Sequence, residues 1–453
     1  MKRHVSPSTS GFPQAFTRRR FLAIGAGTTV AFVTGCGGGE GVGGSAEDSE
    51  GVGGFSGEDY SGPAITLAYW NGFTGGDGPA MQKLVKRFQS EQDNISLENN
   101  TIEWADFYQQ LPAASQAGKG PDVGVMHLDQ LATNAARNVI VPLDDLTEAL
   151  GLEESDFAPA VWEPAIYDGK RYGIPLDVHS LAMFFNQDHF EEAGITEPPA
   201  DAASFDEACK KLQQAGYQQP FWMPNLWPAH MMFFSLLWQF GGEPYAADGS
   251  EATFGSEAGV QALTWMREQV DKGYSPENVN ENAQWIAFKN GDTSITWDGI
   301  WQINDVETTS NIKYGLAPIP TIGDEPAVWA NSHNFFLTSQ AAEDEDRANA
   351  AKTFIGWMSE QSSAWSEAGM IPARNSAREQ PAYTESVQYA IAEQTDHLHF
   401  LPAVPGLGDI TPQTIQVAVN EAILGRESPE DALAEAQDDA NELLEQNAEK
   451  YGL

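Results

Sequence analysis

Basic residues are scarce in this chain: 24 lysines and arginines face 65 acids, a formal charge of −41 with a pI near 4.3. Phosphate backbones need clustered cations, so DNA and RNA are excluded as partners. Ligands carrying phosphate, sulfate or carboxylate call for Arg forks or Lys, and the loops hold few of either. Cysteine is rarer still: two in 453 residues exclude a disulfide-stapled scaffold. After residue 35 there is no further long charge-free apolar run of the kind that spans a membrane. Common enzyme motifs are missing: no G-x-S-x-G, no H-E-x-x-H, no P-loop and no zinc-spaced cysteine pairs. His397 and His399 alternate without a third ligand nearby, so neither a metal nor a cofactor is expected. No repeat of fixed period is present.

What is there is a large apolar complement, 41% hydrophobic and 11% aromatic. It distinguishes the chain from a disordered acidic one, and the length favours two or three domains. A strongly acidic chain with a full core suggests a protein kept soluble in very high salt, as in an extreme halophile, where salt screens the self-repulsion. The first 35 residues carry Lys2, Arg3, Arg18, Arg19 and Arg20 and no acid. Thr17-Arg18-Arg19-Arg20-Phe21-Leu22 leads into an apolar run ending at Gly35, too short to span a membrane. This stretch resembles a twin-arginine export signal, and Val33-Thr34-Gly35-Cys36 resembles a lipobox in which Cys36 becomes the lipidated first residue. The alternative is an ordinary cleaved signal with an incidental Cys36. Residues 36–62 hold eleven glycines in the 26 positions after Cys36 and read as a tether. Cys209 falls with Phe205 and Leu212 on one helical stripe and reads as an apolar core residue.

The folded part begins as strand, loop and helix: Ile65–Trp70, then Asn71 to Asp77 with three glycines, then Met81, Leu84, Val85 and Phe88 at helical spacing. A strand over 96–102, a helix over 104–117 and a strand over 121–126 ending at His127 follow. This alternation predicts an α/β fold with mostly parallel, mixed sheets flanked by helices, whose ligands sit beyond the carboxyl ends of the strands. Trp70, Asn71, Asp77, His127 and Asp129 occupy that edge. An extended run reaches Asn186. Helices are predicted over 188–193, 204–215, 228–240, 256–272, 344–359, 362–369, 411–424 and 428–446, and extended segments over 293–297, 313–317 and 328–337.

Four stretches carry a resemblance: Tyr69-Trp70-Asn71 through the glycines to Asp77-Gly78; Gly173-Ile174-Pro175-Leu176-Asp177 with Phe185-Asn186; Phe190-Glu191-Glu192-Ala193-Gly194 through Pro198-Pro199 to Phe205-Asp206-Glu207; and Phe288-x-x-Gly291 continuing to Gly299-x-Trp301. In this order and spacing the chain resembles a family 1 extracellular solute-binding protein, the lipid-anchored sugar receptor of an ABC importer. The resemblance implies a two-lobed periplasmic-binding-protein-like fold with a multi-segment hinge that closes over its solute. It also implies delivery to membrane permease subunits, a monomer, and a place on the outer face of the cytoplasmic membrane. The lobes are expected at 63–177 plus 332–380 and at 178–331 plus 381–453.

Neutral sugars offer apolar ring faces and many hydroxyls, so their sites combine aromatic plates with short hydrogen-bonding side chains. Trp70, Trp222, Trp227, Trp297, Trp301 and Trp329 lie off the predicted helical stripes; all but Trp329 are candidate plates, Trp301 through the family pattern, and the alternative for each is the core. Asp77 and Asp129 stand where helices begin, as caps or as ligand contacts. Asp177 and His179 fall at the first expected crossing between lobes, and Asn331, preferred over the neighbouring His333, at the second. His127 ends a strand, and Asp298 either accepts hydroxyls or holds a turn. A glycoside hydrolase using two of the many carboxylates is the alternative function.

Overall fold

A computed structural model describes residue 57 and residues 59–452. Arg18, Arg19, Cys36 and nearly all of the tether lie outside the described residues.

The chain opens with β1 (Ile65–Asn71), β2 (Ile95–Thr101) and β3 (Val123–His127). On β1 the side chains alternate, with Leu67, Tyr69 and Asn71 turned inward. The helix Gly78–Glu91, started by Pro79, buries Met81, Leu84, Val85 and Phe88. A hairpin of β4 (Ile166–Tyr167) and β5 (Lys170–Arg171) precedes β6 (Ile174–Pro175) and the ten-residue β7 (Asp177–Asn186). Later come β8 (Ile295–Gly299), β9 (Tyr314–Ala317), β10 (Val328–Asn331), β11 (His333–Leu337), β12 (Ile371–Pro372) and β13 (Leu398–His399).

The first sheet has the order β2-β1-β3-β11-β6, with β2 and β3 parallel to β1 and β11 antiparallel to both β3 and β6. The second sheet is gathered on β7, which pairs antiparallel with β8, β9, β10 and β12, while β13 lies parallel to β10. Both sheets are mixed, but antiparallel pairs outnumber parallel ones, contrary to the expected balance. The reason is β7: every one of its partners enters from a connection that reverses the chain. The chain passes from the first sheet to the second at Leu176, between β6 and β7, returns at Ser332, between β10 and β11, and passes to the second sheet again between β11 and β12.

Two large apolar clusters form the interior and meet along β7. Leu181 and Met183 face one cluster; Val178, Ala182 and Phe184 face the other, as a two-residue period requires. The first cluster holds Tyr69, Phe88, Phe107, Phe335 and Phe354; it also takes in Trp285, Phe288 and Ile303 from beyond β7. The second is built around the helix Ala229–Gln239, every residue of which is buried; its sequence is mostly apolar, and the buried Ser235 and Gln239 are hydrogen-bonded. Cys209 is fully buried there, and burial pushes its thiol pKa up. Local signals set the helix ends: an Asp201/Ser204 capping box, Gly291 at φ 76° closing Ala283–Asn290, and Ser428 capping Pro429–Tyr451.

Candidate functional site

Register creates the site. Across β3 and β11, His127 pairs with His333; across β7 and β10, His179 pairs with Asn331. The crossings at Leu176 and Ser332 run side by side, and three histidine rings meet there. Ring centroids are 4.2 Å apart for His179 and His333, 4.8 Å for His127 and His333, and 5.4 Å for His127 and His179.

Asp177 organises this cluster. Its Oδ1 accepts from the His333 main-chain N–H at 3.0 Å and pairs with His179 Nδ1 at 3.1 Å; its Oδ2 pairs with His333 Nδ1 at 2.8 Å and accepts from Trp365 Nε1 at 2.6 Å. Burial by itself would raise this fully enclosed carboxyl, but the His333 ring and the bonds from both histidines outweigh it and hold the pKa far below the usual carboxylate range. Burial, with His333 beside it, brings His179 down to about 4; burial and the two neighbouring histidines take His127 well below its ordinary value. Burial pushes Asp77 up to about 7 against the pull of His333, and Asp129 to about 6 against a hydrogen bond from Asn331. Near neutral pH the junction therefore holds Asp177 fully ionised, Asp129 largely and Asp77 partly so, beside the neutral rings of His127 and His179. That balance suits an uncharged polar ligand.

Aromatic side chains surround these groups. Trp104 stacks on His333 with centroids 5.5 Å apart and on Tyr108 at 5.8 Å, and lies 4.5 Å from His127. Phe73 meets His333 and Trp365 edge-on at 4.8 and 5.0 Å. Trp301 lies 5.7 Å from His179, 6.3 Å from Trp227 and 6.4 Å from Trp329. Glycine makes two of these placements possible: a Cβ on Gly72 would sit 2.1 Å from the Trp104 ring, and one on Gly299 would sit 2.1 Å from the Trp301 ring. The loop before the helix Gly78–Glu91 reaches across, where Asn304 Nδ2 donates to the Gly76 carbonyl at 3.3 Å.

Of the sequence candidates, Asp77, His127, Asp129, Asp177, His179, Trp301 and Asn331 come together here, with Trp227 joined through Trp301. Asp77 makes no side-chain capping bond, and its Oδ1 is buried without a partner, as is Asp129 Oδ1. Asn331 Oδ1 accepts from the main-chain N–H groups of Leu128 and Ser332, stitching the second crossing to the end of β3. Other candidates stand apart from the cluster. Trp70 packs edge-on against Phe107, and Asn71 donates to Asn99 while its oxygen accepts from the Phe73 N–H. Trp222 keeps a buried, unpartnered Nε1. Trp297 is wholly enclosed, stacked on Trp265 at 5.4 Å beside Phe205 and Phe221, because the alternation of β8 turns it into the helical core. Asp298 is bonded to Gly299 N–H and Gln284 inside the wall that carries Trp301. The residues sequence reasoning undervalued are His333, Trp329, Trp104, Phe73 and Trp365. Trp104 and Trp365 sat on predicted helices, and His333, already placed at the second crossing, is set beside His127 only by the register of β11.

Two sheets joined by side-by-side crossings, with a polar and aromatic cluster at the junction, define a two-lobed binding protein. Residues 83–391 match the family described as bacterial extracellular solute-binding protein, and the chain belongs to that family. It is a family of exported carriers, which sets the hydrolase alternative aside. Among the described residues no helix is long and apolar enough to cross a membrane. A binding protein of Brucella abortus is 22% identical, covering 84% of this chain and 92% of that protein. The maltotriose-binding protein of Pyrococcus abyssi is 24% identical over 70% of this chain and 69% of its own length. In fold the chain is similar to the GacH receptor of Streptomyces glaucescens, solved unliganded and with acarbose: the TM-score is 0.76, with 20% identity, covering 85% of this chain and 99% of that one.

Proposed function

We propose that this protein captures a neutral mono- or oligosaccharide at the junction of its lobes, 63–177 plus 332–380 and 178–331 plus 381–453, and hands it unaltered to the permease subunits of an ABC importer. The observation that carries the reading is the pairing of indole plates, Trp104, Trp301 and Trp329, with a compact set of acceptors and donors at the same junction. Relatives named for maltotriose, maltodextrin and galactooligosaccharide binding support it. Closure of the lobes follows from contacts that sugar makes with both at once, because a ligand shifts a hinge equilibrium only through differential affinity. Export through the Arg18-Arg19 signal and anchoring through a lipidated Cys36 would hold the monomer at the outer face of the cytoplasmic membrane.

Titration calorimetry with a panel of neutral sugars, at molar salt, tests the reading. At least one sugar should bind at a single site and be recovered unchanged, and Trp301→Ala should weaken that binding about tenfold or more while the protein stays folded. Heat from none of the panel, or hydrolysis of a bound oligosaccharide, would count against it.

A further inference from the structure

The same junction carries a second property that does not depend on a sugar. One ring nitrogen from each of His127, His179 and His333 lies within 4.8 Å of the others. The Nδ1 atoms are already engaged: His179 and His333 Nδ1 on the two oxygens of Asp177, and His127 Nδ1 on the Tyr108 hydroxyl at 2.6 Å. A carboxylate accepts and cannot donate, so Asp177 fixes both of its histidines as Nδ1–H tautomers with the lone pair on Nε2. His179 Nε2 is buried and has no hydrogen-bond partner. The Nε2 lone pairs of His179 and His333 are two acceptors side by side, and binding a cation would set His127 in the same tautomer, with its Nδ1–H donated to the Tyr108 hydroxyl. A carboxylate behind the imidazole is also the arrangement that orients histidines toward a metal and raises their basicity.

We propose that His127, His179 and His333 bind a divalent transition-metal cation of the zinc class through their Nε2 atoms. Three imidazoles with no oxygen ligand select zinc, cobalt, nickel or copper over magnesium and calcium. Three histidines leave a fourth tetrahedral position for water or a ligand hydroxyl. A tetrahedral zinc with Zn–N near 2.0–2.1 Å holds its nitrogens about 3.3 Å apart, so binding requires the three rings to rotate inward on the ion. Trp104 against His333 and Phe73 behind it keep that ring in place.

The test uses the mature chain without a histidine tag, stripped with chelator and dialysed, at molar NaCl so that surface carboxylates bind cations weakly. Calorimetric titration with ZnCl2 should show one site, weakened about 100-fold or more in His179→Ala and His333→Ala and in the milder His127→Gln. Cobalt(II) on the wild type should give the intense visible bands of a four- or five-coordinate nitrogen site, a readout that needs no variant to fold. No zinc heat on the wild type, a pale octahedral cobalt spectrum, or zinc binding indifferent to all three substitutions would overturn the proposal. Sugar titrated into the metal-free protein separates the two readings: sugar heat without zinc heat rejects the metal site alone.

Discussion

Asp298 shows how far enclosure reshapes a single group here. The carboxyl is 1% exposed, and burial lifts its pKa from 3.8 to about 6, against the bonds from Gly299 and Gln284. A raised acid stabilises the fold fully below its unfolded pKa, and that contribution is lost as pH rises through the folded value. Asn at 298 has no proton to lose. The urea stability of the wild type minus that of Asp298→Asn should therefore fall by about 2 kcal/mol between pH 4 and pH 8. A difference that stays flat over this range would mean that the carboxyl is solvated. At the same scale, the histidine cluster was only half legible. His127 and His179 stood out as a strand end and a crossing, but nothing in the local sequence pairs His127 with His333. That pairing belongs to the register of two strands far apart in the chain.

Elements were legible where capping and periodicity agreed. The helix predicted at 428–446 spans Pro429–Tyr451, with Ser428 as its cap, Ala432, Leu433, Ala436, Ala440 and Leu444 inward, and acids along the outside. Gly291 closes Ala283–Asn290, whereas the Asp201/Ser204 box starts its helix at Ala202, two residues before the 204 expected from periodicity. The extended run to Asn186 became β7. Strand direction was not legible, because period-two alternation looks the same in parallel and antiparallel pairs. Nor was the fate of neighbouring tryptophans: Trp297 and Trp301 are four residues apart, yet the strand commits the first to the core and the turn after Gly299 brings the second to His179. Helical periodicity likewise pointed Trp104 and Trp365 toward packing, whereas helix beginnings and ends can present a ring to a junction as well as to a core.

Over the whole molecule, the charge is the dominant unpaired force. Removing residues 1–35 leaves 19 basic residues against 65 acids, a net −46. Many of the acids line exposed helix faces, and ion pairs such as Lys83–Glu367 and Lys313–Asp188 are themselves solvent-exposed and contribute little. Self-repulsion on this scale weakens a folded chain unless salt screens it. The soluble portion should lose helical circular dichroism, or melt at a markedly lower temperature, when NaCl falls from molar to millimolar; an unchanged melting curve would remove the halophilic reading without touching the fold. Two-lobed architecture and carrier function were within reach of the sequence through short motifs in a fixed order. The composition of the junction was legible only in part: seven candidates meet there, but Phe73, Trp104 and Trp365 were not among them, because the junction is assembled from both crossings and from loops of both sheets. The most direct measurement is a crystal structure with the sugar that binds most tightly in calorimetry. The account predicts sugar rings laid on Trp104, Trp301 or Trp329 with hydroxyls reaching the Asp77, Asp129 and histidine groups; sugar seated away from this junction would contradict it.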